Sequence, residues 1–236
     1  MRTADRLESK MNDISVLIYS CDKYSDVWGP FFTLLFRYWD CPYQIYLATE
    51  SEQCLLPEIK TINHSAATWT DRIRATLQDI PTMFVIGMCE DMFIRQPVRQ
   101  EIIDNCLNAM KNDKGIACFN FECFRKQTDG GPFDNFGRKT RDAEFKKSCQ
   151  PTLWRKPILE ELLMDPMDAW EWESTPANDK YQYFVYTGPE SEAVFEYGYH
   201  NGEWFGIQKG KWVESDVKPL FEKENINIDL SIRGVI

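Results

Sequence analysis

The chain has 236 residues, 27 basic against 37 acidic side chains for a formal net charge of −10, with 43% hydrophobic and 14% aromatic residues. That balance excludes a disordered or fibrous protein, and the length suits one compact domain of generous size or a core with an appended lobe. The acidic surplus argues against a nucleic-acid partner, whose binding needs clustered Lys and Arg, and gives no support to a polybasic membrane anchor.

Residues 1–13 form a polar tail with no apolar signal region. The longest apolar run, Met83 to Cys89, falls far short of the roughly 20 residues a membrane span needs, so a soluble protein is expected. Eight scattered cysteines form no Cys-x-x-Cys, and only His64 and His200 are available beside them. A structural zinc site is therefore disfavoured and a reducing cytoplasm expected. The pair Cys118 and Cys123 reads as core packing.

Strand and helix alternate from residue 14 to 121. Ile14 to Tyr19 has the short, β-branched, apolar character of a strand buried on both faces, and it ends in the polar cluster Ser20-Cys21-Asp22-Lys23-Tyr24. Trp28, Phe31, Phe32, Leu35 and Trp39 recur at helical spacing, with Ser25 or Asp26 as cap and Pro30 in the first turn. Tyr43 to Ala48 is the next strand. A helix starts at Thr68, with Trp69, Ile73, Leu77 and Ile80 on one face, Arg72 and Arg74 off that stripe, and Pro81 as its stop. Thr82 to Met88 is the most hydrophobic strand and runs into Cys89-Glu90-Asp91. A helix over Val98 to Lys111, ended near Gly115, and a strand over Ile116 to Phe121 complete the core.

Residues 122–149 are polar, carry Gly130-Gly131-Pro132 and lack periodicity, which predicts a long excursion or lid. Residues 150–236 complete the same domain with a short strand at Thr152 to Trp154, a helix near Pro157 to Met164, and aromatic-rich short strands at Tyr181 to Tyr186 and Glu203 to Val213. The expected fold class is α/β, a mostly parallel, doubly wound sheet flanked by helices, with a smaller mixed C-terminal region.

In such sheets ligands sit at the carboxyl ends of the strands, where the clusters at 20–24 and 89–91 fall. Adjacent carboxylates directly after an apolar strand make poor strand residues, and they make sense facing a cleft that holds a divalent cation or sugar hydroxyls. Asp22 can bond a base or ribose and Tyr24 can stack on a base, although no Gly-x-Gly-x-x-Gly or P-loop is present. The plainer reading is a turn with a capping acid. Arg72 and Arg74 suit a diphosphate clamp, or a solvated helix face partnered by Asp71. Trp170-Glu171-Trp172-Glu173 can set indoles beside a sugar ring and a carboxylate against its hydroxyl, or else bury its tryptophans in a short amphipathic strand or turn. His200 lies in an Asn-Gly turn segment, with a metal or phosphate contact as the lesser reading.

Together, SVLIYSCDKYSDVWGPFF, WTDRIRATLQDI with PTMFVIGMCEDMFI, and CQPTLWRKPILEELL with DAWEWE resemble a bacterial GT-A-type glycosyltransferase of the small lipopolysaccharide and capsule type, over residues 15–173. The resemblance implies a Rossmann-like single domain and transfer of a sugar from a nucleotide-diphosphate donor to a saccharide or lipid-linked saccharide, at the inner face of the membrane. It implies that Ser20, Asp22 and Tyr24 hold the nucleoside, that Glu90 and Asp91 serve the diphosphate, and that Asp91 takes Mn2+ or Mg2+. A strict Asp-x-Asp is absent from this sequence. Glu171 or Glu173 falls where inverting members carry their base, with Trp170 and Trp172 on the acceptor. Two alternatives stand beside this: a catalytically silent carbohydrate-binding scaffold, and a sugar-phosphate nucleotidyltransferase.

Overall fold

The computed structural model describes residues 13–123, 128–198 and 206–236. Strands β1 (Ile14–Tyr19), β2 (Gln44–Thr49), β3 (Ile59–Asn63) and β4 (Phe84–Cys89) run parallel in the order β3-β2-β1-β4. The helices between them are α1 (Ser25–Tyr38), α2 (Trp69–Asp79) and, after β4, α3 (Gln100–Asn112). The sheet continues through β8 (Thr152–Arg155), β5 (Ile116–Cys123), β9 (Gln182–Tyr186), β7 (Phe136–Lys139) and β6 (Thr128–Asp129). Only β8 and β7 oppose the common direction, so the expected α/β class with a mostly parallel sheet holds. Helices α4 (Lys156–Leu162), α5 (Ala169–Ser174) and α6 (Glu214–Glu224) and a small hairpin, β10 (Ile207–Gln208) with β11 (Lys211–Trp212), complete the described elements.

All six residues of β1 are buried, because each face of the sheet is covered by helices. Ile14, Val16 and Ile18 enter the core shared with Phe31, Leu35, Leu107 and Phe221, whereas Leu17 and Tyr19 enter the one shared with Ile73, Leu77, Leu159 and Trp172. This alternation fixes the register, since a one-residue slip would exchange the two cores. Gly87 of β4 is dictated by the second core: a Cβ there would run into the Tyr19 ring and hydroxyl.

Several sequence expectations change. The helix after β1 begins at Ser25, so Pro30 lies in its second turn rather than its first. Strand β3 was not foreseen; it sits at the sheet edge, where one apolar residue in two suffices and hydrophobic contrast is weak. The stretch expected as a structureless excursion carries β6 and β7, which extend the sheet edge beyond β9. The return of the chain from that edge makes β8 enter antiparallel between β4 and β5. Trp170 to Glu173 is helical rather than a strand or turn, initiated by a capping box in which Asp168 and Glu171 bond each other's backbone N–H. The last third contains helix α6, whose Val217, Leu220 and Phe221 are buried and whose chain exits through left-handed Asn225. Among the described residues no helix is long and apolar enough to cross a membrane. His200 and the first residues of the expected strand at Glu203 to Val213 lie outside the described residues.

Candidate active site at the carboxyl ends of β1 and β4

Strands β1 and β4 are neighbours, with Tyr19 opposite Cys89, so Ser20 and Glu90 leave the sheet side by side. The chain from β1 crosses through α1 to β2 on one flank while β4 lies on the other, which makes the carboxyl ends of β1 and β4 the topological switch point of the sheet, where ligands bind in folds of this kind.

The two exits are tied together. Ser20 Oγ donates to Glu90 Oε1 at 2.8 Å and accepts the Trp28 indole N–H at 2.7 Å. Glu90 is only 5% exposed, and Asp91 beside it is half-buried. Burial, and for Glu90 also the charge of Asp91, pushes both carboxyls above their usual range. No side chain among the described residues hydrogen-bonds the Asp91 carboxylate, which is relieved by its own backbone N–H and, less, by the field of Arg233. Arg233 reaches the site from the C-terminal segment: it pairs with Asp26, donates to the Lys23 carbonyl at 2.9 Å and the Gly210 carbonyl at 3.1 Å, and lies 4.2 Å over the Tyr24 ring. Gly206 allows that segment to pass against the Asp91 carbonyl, with φ +92 and no room for a Cβ.

These carboxylates suit a hard divalent cation. Ligand atoms of Cys89, Glu90 and Asp91 lie within 4.8 Å of one another. The Cys89 thiol is held well above its usual range by its contact with Cys149 and by burial, so it stays protonated and leaves two oxygen donors. A cation there supplies the countercharge that a raised carboxylate pair lacks.

Asp22 and Arg72 arrive at the same edge but are engaged with the protein. The Asp22 carboxylate accepts from Thr49 Oγ1 at 2.6 Å, Ser51 Oγ at 2.6 Å, and the N–H groups of Ser51 and Glu52 at 3.0 Å. These bonds hold its carboxyl far below the usual range and fill its acceptor sites, so it staples the β1 exit to the β2 exit. Arg72 is buried, pairs with Glu50 and donates to the Ser20 carbonyl at 2.9 Å, with its Nε lacking a partner among the described residues. Glu50 also accepts the Asp22 N–H at 2.7 Å. Arg74, by contrast, pairs with Asp71 at 2.8 Å and donates to the Met164 carbonyl at 3.2 Å.

The two acids of α5 separate by role. Glu171 is exposed, its side chain returned to the Asp168 N–H at 3.0 Å. Glu173 is half-buried, accepts the Cys149 N–H at 2.5 Å, and burial raises its carboxyl. The Cys149 thiol in turn contacts that of Cys89, the last residue of β4. Trp172 is 0% exposed, packed on Trp69 and Trp154 with its indole N–H on the Leu162 carbonyl at 2.8 Å. It therefore has no free face for a sugar, whereas Trp170 is 71% exposed. Arg233, Glu50 and Cys149 escaped the sequence reading because their partners lie far away along the chain; Arg233 and Asp26, for example, are 207 residues apart.

No family model and no curated protein sequence matches the chain. Among solved structures, a mannosyltransferase from Pyrobaculum calidifontis, in complex with GDP-Man and Mn2+, is similar at 12% identity and a TM-score of 0.47, over 79% of this chain and 58% of that one. The bifunctional IspDF of Campylobacter jejuni gives 12% and 0.45 over 75% of this chain, which spans 50% of its length. The 2-C-methyl-D-erythritol 4-phosphate cytidylyltransferase of Thermus thermophilus gives 14% and 0.43, over 80% of this chain and 94% of that one.

Proposed function

We propose that the protein is a glycosyltransferase that moves a sugar from a nucleotide-diphosphate donor to a hydroxyl of a saccharide or lipid-linked saccharide in cell-surface polysaccharide synthesis, working at the inner face of the membrane. One observation carries this reading: two adjacent carboxylates, one buried and one half-buried and neither in an ion pair among the described residues, at the carboxyl end of β4 and bonded to the exit of β1. Structural carboxylates in such a position are normally paired.

Asp91, with Glu90 behind it, would hold Mg2+ or Mn2+, which when bound supplies Lewis-acid charge to the departing diphosphate. Ser20 fixes Glu90, and Trp28 fixes Ser20. Asp22 and Glu50 shape the nucleoside wall by tying β1 to β2, and Arg72 supports that wall from inside. Tyr24, backed by Arg233, gives the base a flat surface on its other face. Glu173 takes the acceptor proton: its raised carboxyl is a better base than an ordinary one, provided the hydroxyl comes within hydrogen-bond reach. Trp170 offers the acceptor a solvent-facing indole.

Hydrolysis or transfer from a panel of nucleotide-sugars, with Mn2+, tests the proposal. Turnover should collapse in Asp91→Ala while the Tm holds. A wild-type protein that leaves all donors intact, or instead releases pyrophosphate from a nucleoside triphosphate and a sugar phosphate, overturns it.

A further inference from the structure

Residues 138–147, RKTRDAEFKK, hold five basic side chains against two acidic ones in a chain whose net charge is −10. Strand β7 pairs with β9, and beyond its last residue, Lys139, the chain loops back to bring Lys146 to the same place. A cavity of about 250 Å³ results, lined by Arg138, Lys139, Arg141, Lys146 and Tyr183, with Asp129 and Asp179 as its carboxylates among the described residues.

Both lysines are 5% exposed, an expensive placement for ammonium groups. Lys146 donates to Asp179 at 2.6 Å and to the Arg141 carbonyl; Lys139 donates to the Phe145 carbonyl and lies in the field of Glu122 and Glu173. Asp179 is shared with Arg141, at 3.1 Å, so one acid serves two cations. A separate observation points the same way. Tyr183, which lines this cavity, is 2% exposed, and its buried hydroxyl has no hydrogen-bond partner among the described residues. Buried hydroxyls are nearly always bonded, and a phenol donor in a cationic cavity complements an anionic oxygen.

The cavity is smaller than the roughly 300–1,000 Å³ that whole small-molecule ligands occupy, so it takes one group rather than a nucleotide. Donors converging from several strands and loops suit a tetrahedral oxyanion with oxygens pointing several ways. We infer that this cavity is a phosphate-binding subsite and that the acceptor carries a phosphoryl group there. The acceptor assignment rests on the transferase reading above, with Lys139 linking the cavity to Glu173.

Calorimetric titration of the full chain with inorganic phosphate is the test, on wild type, Tyr183→Phe and Arg138→Gln. Wild type should bind, Tyr183→Phe should bind about tenfold more weakly or worse, Arg138→Gln should also weaken, and both variants should keep the wild-type Tm. Wild type without affinity, equal binding by Tyr183→Phe, or a lower Tm in that variant (a protein partner for the hydroxyl) overturns the inference. Co-sedimentation with phosphatidic-acid against phosphatidylcholine vesicles assigns the phosphate: Tyr183-dependent pelleting means a lipid-linked source, and its absence beside phosphate binding means a soluble one. Asp91→Ala should still bind phosphate, so failure of the donor reading and failure of this subsite are separately visible.

Discussion

Replacing Ser20 by Ala probes the joint between the two strand exits. The hydroxyl serves two buried partners, the Trp28 indole N–H at 2.7 Å and Glu90 Oε1 at 2.8 Å, and an alanine methyl serves neither. Trp28 is 6% exposed and Glu90 5%, so water cannot readily substitute. A buried polar group left without its partner costs about 1–3 kcal/mol, which for two such groups makes about 2–6 kcal/mol. For a chain of this size each kcal/mol lowers the Tm by about 2–4 °C, so Ser20→Ala should melt about 4–24 °C below wild type by calorimetry. Glu90→Gln and the double variant complete a cycle, and the double loss should fall short of the sum of the singles by about 1 kcal/mol or more. A Ser20→Ala protein within about 1 °C of wild type, or a strictly additive cycle, would refute the bonded joint.

Other perturbations separate the roles assigned here. Glu173→Gln should lower kcat about 10²–10⁴-fold in steady-state assays, while Glu171→Gln, which touches only a helix cap, should leave it near wild type. Glu224, held at about 2 by the Tyr38 hydroxyl and Arg37, contributes stability that is complete above its unfolded value near 4.5 and is lost as the pH falls toward 2. In Glu224→Gln, Tm profiles should therefore fall less steeply between those limits, and parallel profiles would contradict the assignment. Gly87→Ala forces a methyl into Tyr19 and should cost about 1–3 kcal/mol of stability in urea unfolding.

The buried half of the fold was legible from sequence because its signals are local. Apolar runs at β1 and β4, the stop at Pro81 and the cap at Thr68 need no distant partner to be read. The same locality placed Ser20 and Glu90 at strand exits, since a parallel sheet of this kind puts them together. What was not legible depends on long-range assembly: β8 as an antiparallel insertion, β6 and β7 as an edge hairpin, and Arg233 returning over Tyr24. Helix α6 is a different case, because Val217, Leu220 and Phe221 at helical spacing before Asn225 are a readable pattern that the surrounding aromatics obscured. Alternation alone could not rank Glu171 and Glu173. The capping box that occupies one and the turn at Cys149 that receives the other do so.

The most direct measurement is anomalous diffraction from crystals grown with Mn2+ and a nucleoside diphosphate. The account predicts a manganese peak bonded to an Asp91 carboxylate oxygen and to the diphosphate, with the base beside Tyr24. A nucleotide bound elsewhere, a nucleotide bound here without a manganese peak, or an undiminished manganese peak in Asp91→Ala would contradict it.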